Sequence, residues 1–389
     1  MPTLRLRAFA KINLGLRVLG RRSDGYHELR TVYQAISLAD RIEVTLSARS
    51  TRTGPEITVE SDDPAVPSGP QNLVYRACQR WSEVRRLRRA VAVRIEKRIP
   101  AGSGLGGASS DAAGVLLALE RLTGDRLGPA ARLQLSAELG SDVPFFVEGG
   151  RAFGCGRGEE VYRLPDLPRR PCLVVFPGFS QSTREAYAAL DRVWCPAQPS
   201  ATPSPLAPRP LEAVKEVGRW AVAAVYDRRN TIESEDRRSQ TAATAGFFHS
   251  PLGEEGSGVR GISDITRDKT LPSQAPPPLD SQLTAGPNPY SIYSFGKWPQ
   301  FPWECWEAAE NDFEPVVFAK WPELRKLKRQ LLRAGAEMAS LSGSGSAVYA
   351  IFASARKLDS LRKVAPASGR TFAARTLSRA ECQQLRFES

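Results

Sequence analysis

The sequence predicts an α/β protein made of two folded blocks around a loose middle, and three observations carry that prediction. Apolar residues alternate as in strands at Arg41 to Leu46 (RIEVTL) and Val91 to Lys97 (VAVRIEK), while Ser110 to Leu122 (SDAAGVLLALERL) has helical periodicity. From about Pro196 to Pro289 prolines cluster (PSATPSPLAPRP, LPSQAPPPLD), and no hydrophobic period lasts beyond a short WAVAAVY run. Globular character then returns, with two helices expected over Trp303 to Gly335 and apolar strands around Ser340 to Phe352.

Each block is large enough to bury a core. The 389 residues are 41% hydrophobic and 25% charged, which excludes a disordered or fibrous chain. The middle is expected to be an inserted, disordered stretch, tolerated at a surface loop because loop-closure cost grows slowly with length. Its His249 has no partner in the pattern and reads as a bystander.

The formal charge of +12 directs attention to anions: nucleotides, phosphates or nucleic acid. Ser204 to Asp280 holds ten Lys/Arg and eleven Asp/Glu, a net −1, so the remainder carries +13. The basic excess sits in the folded blocks. Six cysteines without a C-x-x-C pair and only two histidines argue against a zinc site and predict reduced, buried thiols. No apolar run approaches the roughly 18 residues of a membrane span, and MPTLRLRAFAKINLG lacks the character of a signal peptide, so a soluble cytoplasmic protein is expected.

The most informative segment is the strand-loop-helix passage RIPAGSGLGGASSDAAGVLLAL. Gly102, Gly104, Gly106 and Gly107 let the backbone reach positive φ and approach a ligand, and the helix expected to open at Ser109, Ser110 and Asp111 offers free N–H groups to a phosphate. A capped turn would need only Ser110, so four glycines within six residues favour a phosphate cradle. The spacing matches G-x-G-x-x-G, yet the acidic residue about 20 positions on is Asp125, which follows a helix rather than ending a strand. No G-x-x-x-x-G-K-[ST] occurs either. The cradle belongs to neither scheme.

Two further constellations frame it. In a chain with 44 Arg and 10 Lys, only Lys11 and Lys97 precede residue 200, and Lys11 lies inside an apolar strand-like stretch. Asn13 shares its face, and DGYHEL follows with Tyr26 and His27. In LGSDVPFFVEGG, Asp142 precedes an apolar run. It reads equally as a turn cap or as a desolvated base able to activate a hydroxyl.

AKINLGL, P-x-x-x-GLGG-x-SSD-AA (Pro100 to Ala113) and LSGSGSAVY (Leu341 to Tyr349) together resemble, in order, the three motifs of the GHMP kinase superfamily. RRSDGYHEL, LGSDVPFFV and ENDFEPVV are similar to its branch that phosphorylates a cytidyl-bearing polyol of non-mevalonate isoprenoid synthesis. The likeness spans about residues 5 to 195 and 303 to 375. It implies an α+β two-domain fold: a ribosomal-protein-S5-like α/β domain over 1–165 and a ferredoxin-like α+β domain over 166–389, the latter carrying the insertion at about 204–285.

It also implies ATP and Mg²⁺ as cofactors and site residues by position. Lys11 and Asp142 become the catalytic pair. Pro100, Ala101, Gly102, Ser103, Gly104, Leu105, Gly106, Gly107, Ala108, Ser109 and Ser110 become the ATP-phosphate loop. Tyr26 and His27 become cytidine contacts, with Tyr187 placed to sandwich the base and Thr183 in the same segment. Asn13 and the Ser342 to Ser346 loop would shape the phosphate site. Ala108 and Asp111 stand where Gly or Asn is frequent, and neither position needs its side chain for backbone N–H binding. No metal ligands follow from the likeness.

A monomer or weak homodimer acting on small molecules is expected, with no nucleic acid or membrane partner. The rivals are a mevalonate- or homoserine-type kinase, whose small acyclic substrates offer no ring for Tyr26 and Tyr187 to stack on, and a non-catalytic nucleotide-binding protein inactivated by the insertion. The basic segment LRKLKRQLLRAG could suggest nucleic acid, but its leucines follow helical spacing toward a core.

Overall fold

A computed structural model describes residues 1–50, 56–194, 310–358, 360–361 and 364–388. The expected insertion, WAVAAVY, His249, Cys195, Cys305 and the Trp303 start of the returning helices lie outside the described residues.

The first layer is a six-stranded sheet. Strand β1 (Thr3–Arg21) pairs antiparallel with β2 (His27–Ser50), and β2 also receives β4 (Arg89–Glu96) along its second half and β5 (Arg151–Cys155) along its first. The parallel strand β3 (Ile57–Ser61) extends the sheet beyond β4, and β6 (Glu160–Arg163) extends it beyond β5. Strand β4 shows why the alternation predicts a strand: Val91, Val93 and Ile95 are buried, and Ala92, Arg94 and Glu96 are exposed.

Four helices follow the same residue logic. In α1 (Leu73–Arg85) the Asn72 side chain caps the first turn by accepting from Val74 N–H. Helix α2 (Gly107–Thr123) buries Ala112, Val115, Leu116 and Leu119 in the main core. It opens two residues before Ser109, because Gly106 at φ +76° turns the chain directly into the helix. Helices α3 (Pro129–Leu139) and α4 (Val143–Glu148) each carry proline in the first turn, where its missing N–H costs nothing.

The second layer holds β7 (Pro171–Phe176), α5 (Thr183–Trp194), α6 (Glu314–Lys320), α7 (Pro322–Arg333), β8 (Met338–Leu341), β9 (Val348–Ile351) and β10 (Arg370–Arg375), after which α8 (Arg379–Arg386) returns to the first layer, where Cys382 joins the first core. All its strand pairs are antiparallel, in the order β10-β7-β9-β8. Counted in chain order this is 4-1-3-2, the ferredoxin-like arrangement. Helix α7 contains most of the basic segment, and its Leu324, Leu327 and Leu331 are buried in the second core as the spacing predicts. Cys78, Cys155, Cys172 and Cys382 are buried free thiols.

Strand β1 serves both cores. Leu6 and Ala8 pack in the first with α2, whereas Leu16 and Val18 pack in the second with Leu173, Phe313 and Val348. The register shift between Phe9 and Lys11 interrupts the ladder to β2, and the Lys11 backbone N–H donates instead to the Leu105 carbonyl at 3.0 Å.

Candidate active site

The glycine loop connects β4 to α2 and is held from both layers. Gly102, Gly104 and Gly106 all have positive φ (+64°, +82° and +76°), which glycine alone adopts without strain. A Cβ on Gly104 would strike the Ser342 carbonyl, and one on Gly345 the Gly104 backbone nitrogen, so the second and third motifs meet backbone to backbone. Ser342 Oγ donates to the Gly104 carbonyl at 3.0 Å, and Ala347 N–H to the Ser103 carbonyl at 3.1 Å. Inside the loop Ser103 Oγ donates to Pro100 O, while Ser110 Oγ reaches Phe9 O on β1. Both hydroxyls support the loop's shape.

Lys11 and Asp142 meet beside this loop, Nζ to Oδ2 3.8 Å, with the Lys11 side chain only 5% exposed. Burial pulls the Lys11 ammonium below the ordinary lysine range, and Asp142 pulls it back up. Its ammonium donates to Asn13 Oδ1 at 2.6 Å; Asn13 in turn donates to Thr31 Oγ1, and Thr31 to the Gly15 carbonyl. That chain fixes the shared-face geometry expected of Lys11 and Asn13. Asp142 occupies the cap position of α4 but makes no capping bond. Its carboxylate turns inward, where Tyr33 donates a hydrogen bond to Oδ1 at 3.0 Å. Burial and the adjacent carboxylate push the Tyr33 hydroxyl well above its usual range, so it remains a donor.

A second station lies along β2 and α5. His27 Nε2 is 2.7 Å from Asp191 Oδ1, and the His27 ring stacks on Tyr187 with centroids 4.4 Å apart and planes at 21°. Tyr187 also meets Phe313 edge-on. Because His27 and Tyr187 touch, a base cannot lie between them unless the rings part. Tyr26 is exposed on the preceding turn, and the Arg157 guanidinium sits over its ring at 4.8 Å. Thr183 Oγ1, at the start of α5, accepts from Ser344 Oγ of the third motif at 3.1 Å.

Several supporting residues escape motif reading. Tyr33 is one. Asn311 lies within ENDFEPVV but drew no role from it: its side-chain amide donates to the carbonyls of Leu341 and Gly343, bracing the third motif. Behind the glycine loop Lys97 bridges Asp40 at 2.5 Å and Asp111 at 2.8 Å, and Asp40 also accepts from the backbone N–H groups of Arg98 and Ile99. Desolvation pushes the Asp111 carboxyl up to about 7, Lys97 opposes that rise, and Asp111 Oδ1 is buried with no hydrogen-bond partner. The scarcity of lysine was the available signal: both lysines before residue 200 flank this loop.

Two family models match the chain, the GHMP kinases N-terminal domain over residues 72–150 and the GHMP kinases C-terminal domain over 304–370, which defines the class as an ATP-dependent small-molecule kinase. A protein of Solibacter usitatus named 4-diphosphocytidyl-2-C-methyl-D-erythritol kinase is 37% identical over 351 residues, 89% of this chain and 80% of that one. One of the same name from Heliobacterium modesticaldum is 34% identical over 388 residues, covering 98% of each. The chain belongs to the 4-diphosphocytidyl-2-C-methyl-D-erythritol kinase family of GHMP kinases. A crystal structure of a 4-(cytidine 5'-diphospho)-2C-methyl-D-erythritol kinase superposes with TM-score 0.57 at 27% identity, over 96% of this chain and 98% of that one. A homoserine kinase from Cytophaga hutchinsonii shares the fold (TM-score 0.54, 16% identity, 97% and 95% coverage). Among the described residues no helix is long and apolar enough to cross a membrane.

Proposed function

We propose that the chain transfers the γ-phosphoryl group of ATP to the 2-hydroxyl of 4-diphosphocytidyl-2-C-methyl-D-erythritol, as a cytoplasmic enzyme working as a monomer or weak homodimer. The observation that carries the mechanism is the Lys11–Asp142 pair beside a glycine loop. Asp142 accepts the substrate hydroxyl proton as the oxygen attacks phosphorus, and Tyr33 holds the carboxylate in its inward rotamer. Lys11 offsets charge on the transferring group, while the backbone N–H groups at the start of α2 hold the phosphates. His27, Tyr26, Tyr187 and Thr183 receive the cytidyl end of the substrate.

When bound with ATP, Mg²⁺ supplies charge neutralisation on the phosphates. Its fit here is as an ion carried by phosphate oxygens: among the described residues no group of three His, Cys, Asp or Glu side chains gathers to cage a metal.

The deciding experiment is ADP release by the purified chain in the presence of the cytidyl substrate, mevalonate or homoserine. Turnover with the cytidyl compound alone is expected. Turnover confined to mevalonate or homoserine would replace the substrate, and the absence of any substrate-dependent ADP would leave a nucleotide-binding protein.

A further inference from the structure

A cleft of about 470 Å³ opens on the side of the first sheet away from α2, against the edge strand β10. Leu6 and Ile42 meet α2, as their distances from Gly114 show, so the alternating residues Arg7 and Arg41 project from the opposite face into the cleft. Arg98 and Arg370 complete a ring of guanidinium groups, and Leu38 and Phe372 supply apolar lining.

Three features concentrate weakly compensated positive charge on this lining. Arg7 and Arg41 are register partners, and like charges directly opposite on neighbouring strands are destabilising. Their carboxylate contacts are long: Arg7 to Glu388 3.3 Å, Arg41 to Glu388 3.9 Å and to Glu96 3.7 Å, with Arg98 to Glu96 at 3.4 Å. Arg370 has no carboxylate partner among the described residues and is held over the rings of Phe176 and Phe372. Lys97 also lines the cleft and is paired with Asp40 and Asp111, whereas Arg7, Arg41 and Arg98 share only the two carboxylates of Glu388 and Glu96.

We propose that this cleft binds a small phosphate ester with an apolar portion. Guanidinium groups suit phosphate oxygens through paired N–H donors, and Phe372 with Leu38 offers surface to the organic part. The volume falls within the range of small-ligand pockets and is concave, which favours a free small molecule over a nucleic-acid backbone. Because Asp40 anchors the Arg98 and Ile99 backbone at the root of the glycine loop, an occupant of the cleft sits next to the residues that position ATP.

Calorimetric titration of the full chain with phenyl phosphate, inorganic phosphate and a 20-base single-stranded DNA tests this, with ADP kept saturating to block the glycine loop. Phenyl phosphate is expected to bind with ADP present, more tightly than inorganic phosphate, and to weaken at least tenfold in both Arg41→Ala and Arg370→Ala while ADP affinity stays unchanged. Arg41 is half exposed, so its variant reads binding without disturbing the core. Unaltered phenyl phosphate binding in both variants, or its loss when ADP is present, would overturn the site. Equal affinity for inorganic phosphate would overturn the apolar component, and preference for DNA would replace the ligand class. None of these outcomes depends on the kinase substrate.

Discussion

Lys11 on β1 and Asp142 at the head of α4 lie 3.8 Å apart, joined across 131 positions of sequence by the packing of α4 against the sheet. Asp142 spends neither oxygen on capping its own helix. A residue reserved in this way should act in the chemical step. Asp142→Asn and Lys11→Ala are each expected to lower kcat by roughly 10²–10⁴ with little change in nucleotide affinity. Steady-state kinetics beside ADP titration checks both, and near-normal kcat in either variant refutes the pairing.

Tyr33 acts through Asp142. Tyr33→Phe keeps the ring packed against Phe145 and removes only the hydroxyl, so kcat should fall about tenfold while the fold is retained. In the Asp142→Asn background the same change should add almost nothing, because the two groups form one unit. An additive double variant would place Tyr33 in a separate role.

At the proposed cytidyl station, His27→Ala should raise KM for the cytidyl substrate by about tenfold or more and leave kcat within a few-fold, since stacking and one hydrogen bond are lost away from the reacting atoms. An unchanged KM would remove His27 from substrate recognition.

Gly104 and Gly124 both have positive φ, but only Gly104 is crowded. Gly104→Ala should cost on the order of 3 kcal/mol or more, because its Cβ meets backbone that cannot swing aside. Gly124→Ala, in open space, should cost about 1 kcal/mol. Urea denaturation of the two variants makes the comparison, and equal losses would show that φ alone matters.

The Asp111 carboxyl has a folded pKa near 7 against an ordinary 3.8. Between these values the unfolded chain binds fewer protons than the folded one, so this group's contribution to stability falls as pH rises from about 4 to about 7. Measured between pH 5 and pH 8, the native chain should therefore lose more stability than Asp111→Asn. A steeper loss in the variant would reverse the sign.

Short-range pattern carries the glycine loop, the strands beside it and the α7 core face, because each is written in neighbouring residues. The role of Asp142 was open at that level: a carboxylate before an apolar run caps a turn as readily as it serves as a base, and the neighbours that favour a base, Tyr33 and Lys11, come from distant segments. Lys97 was visible as a rare lysine, but its partners Asp40 and Asp111 come from distant segments, so no local spacing announces the cluster. The contact between His27 and Tyr187 depends equally on how α5 settles beside β2.

Strand β1 has a further consequence. Nineteen residues of one strand anchor Leu6 in one core and Leu16 in the other, and Val18 N–H donates to Asp312 far down the chain. Neither half can melt without pulling on the other, so denaturation should follow a single cooperative transition. A polypeptide beginning near residue 166 would lack the wedge that Leu16 and Val18 drive into its interior, which makes evolutionary or laboratory separation of the halves costly even though each has its own sheet.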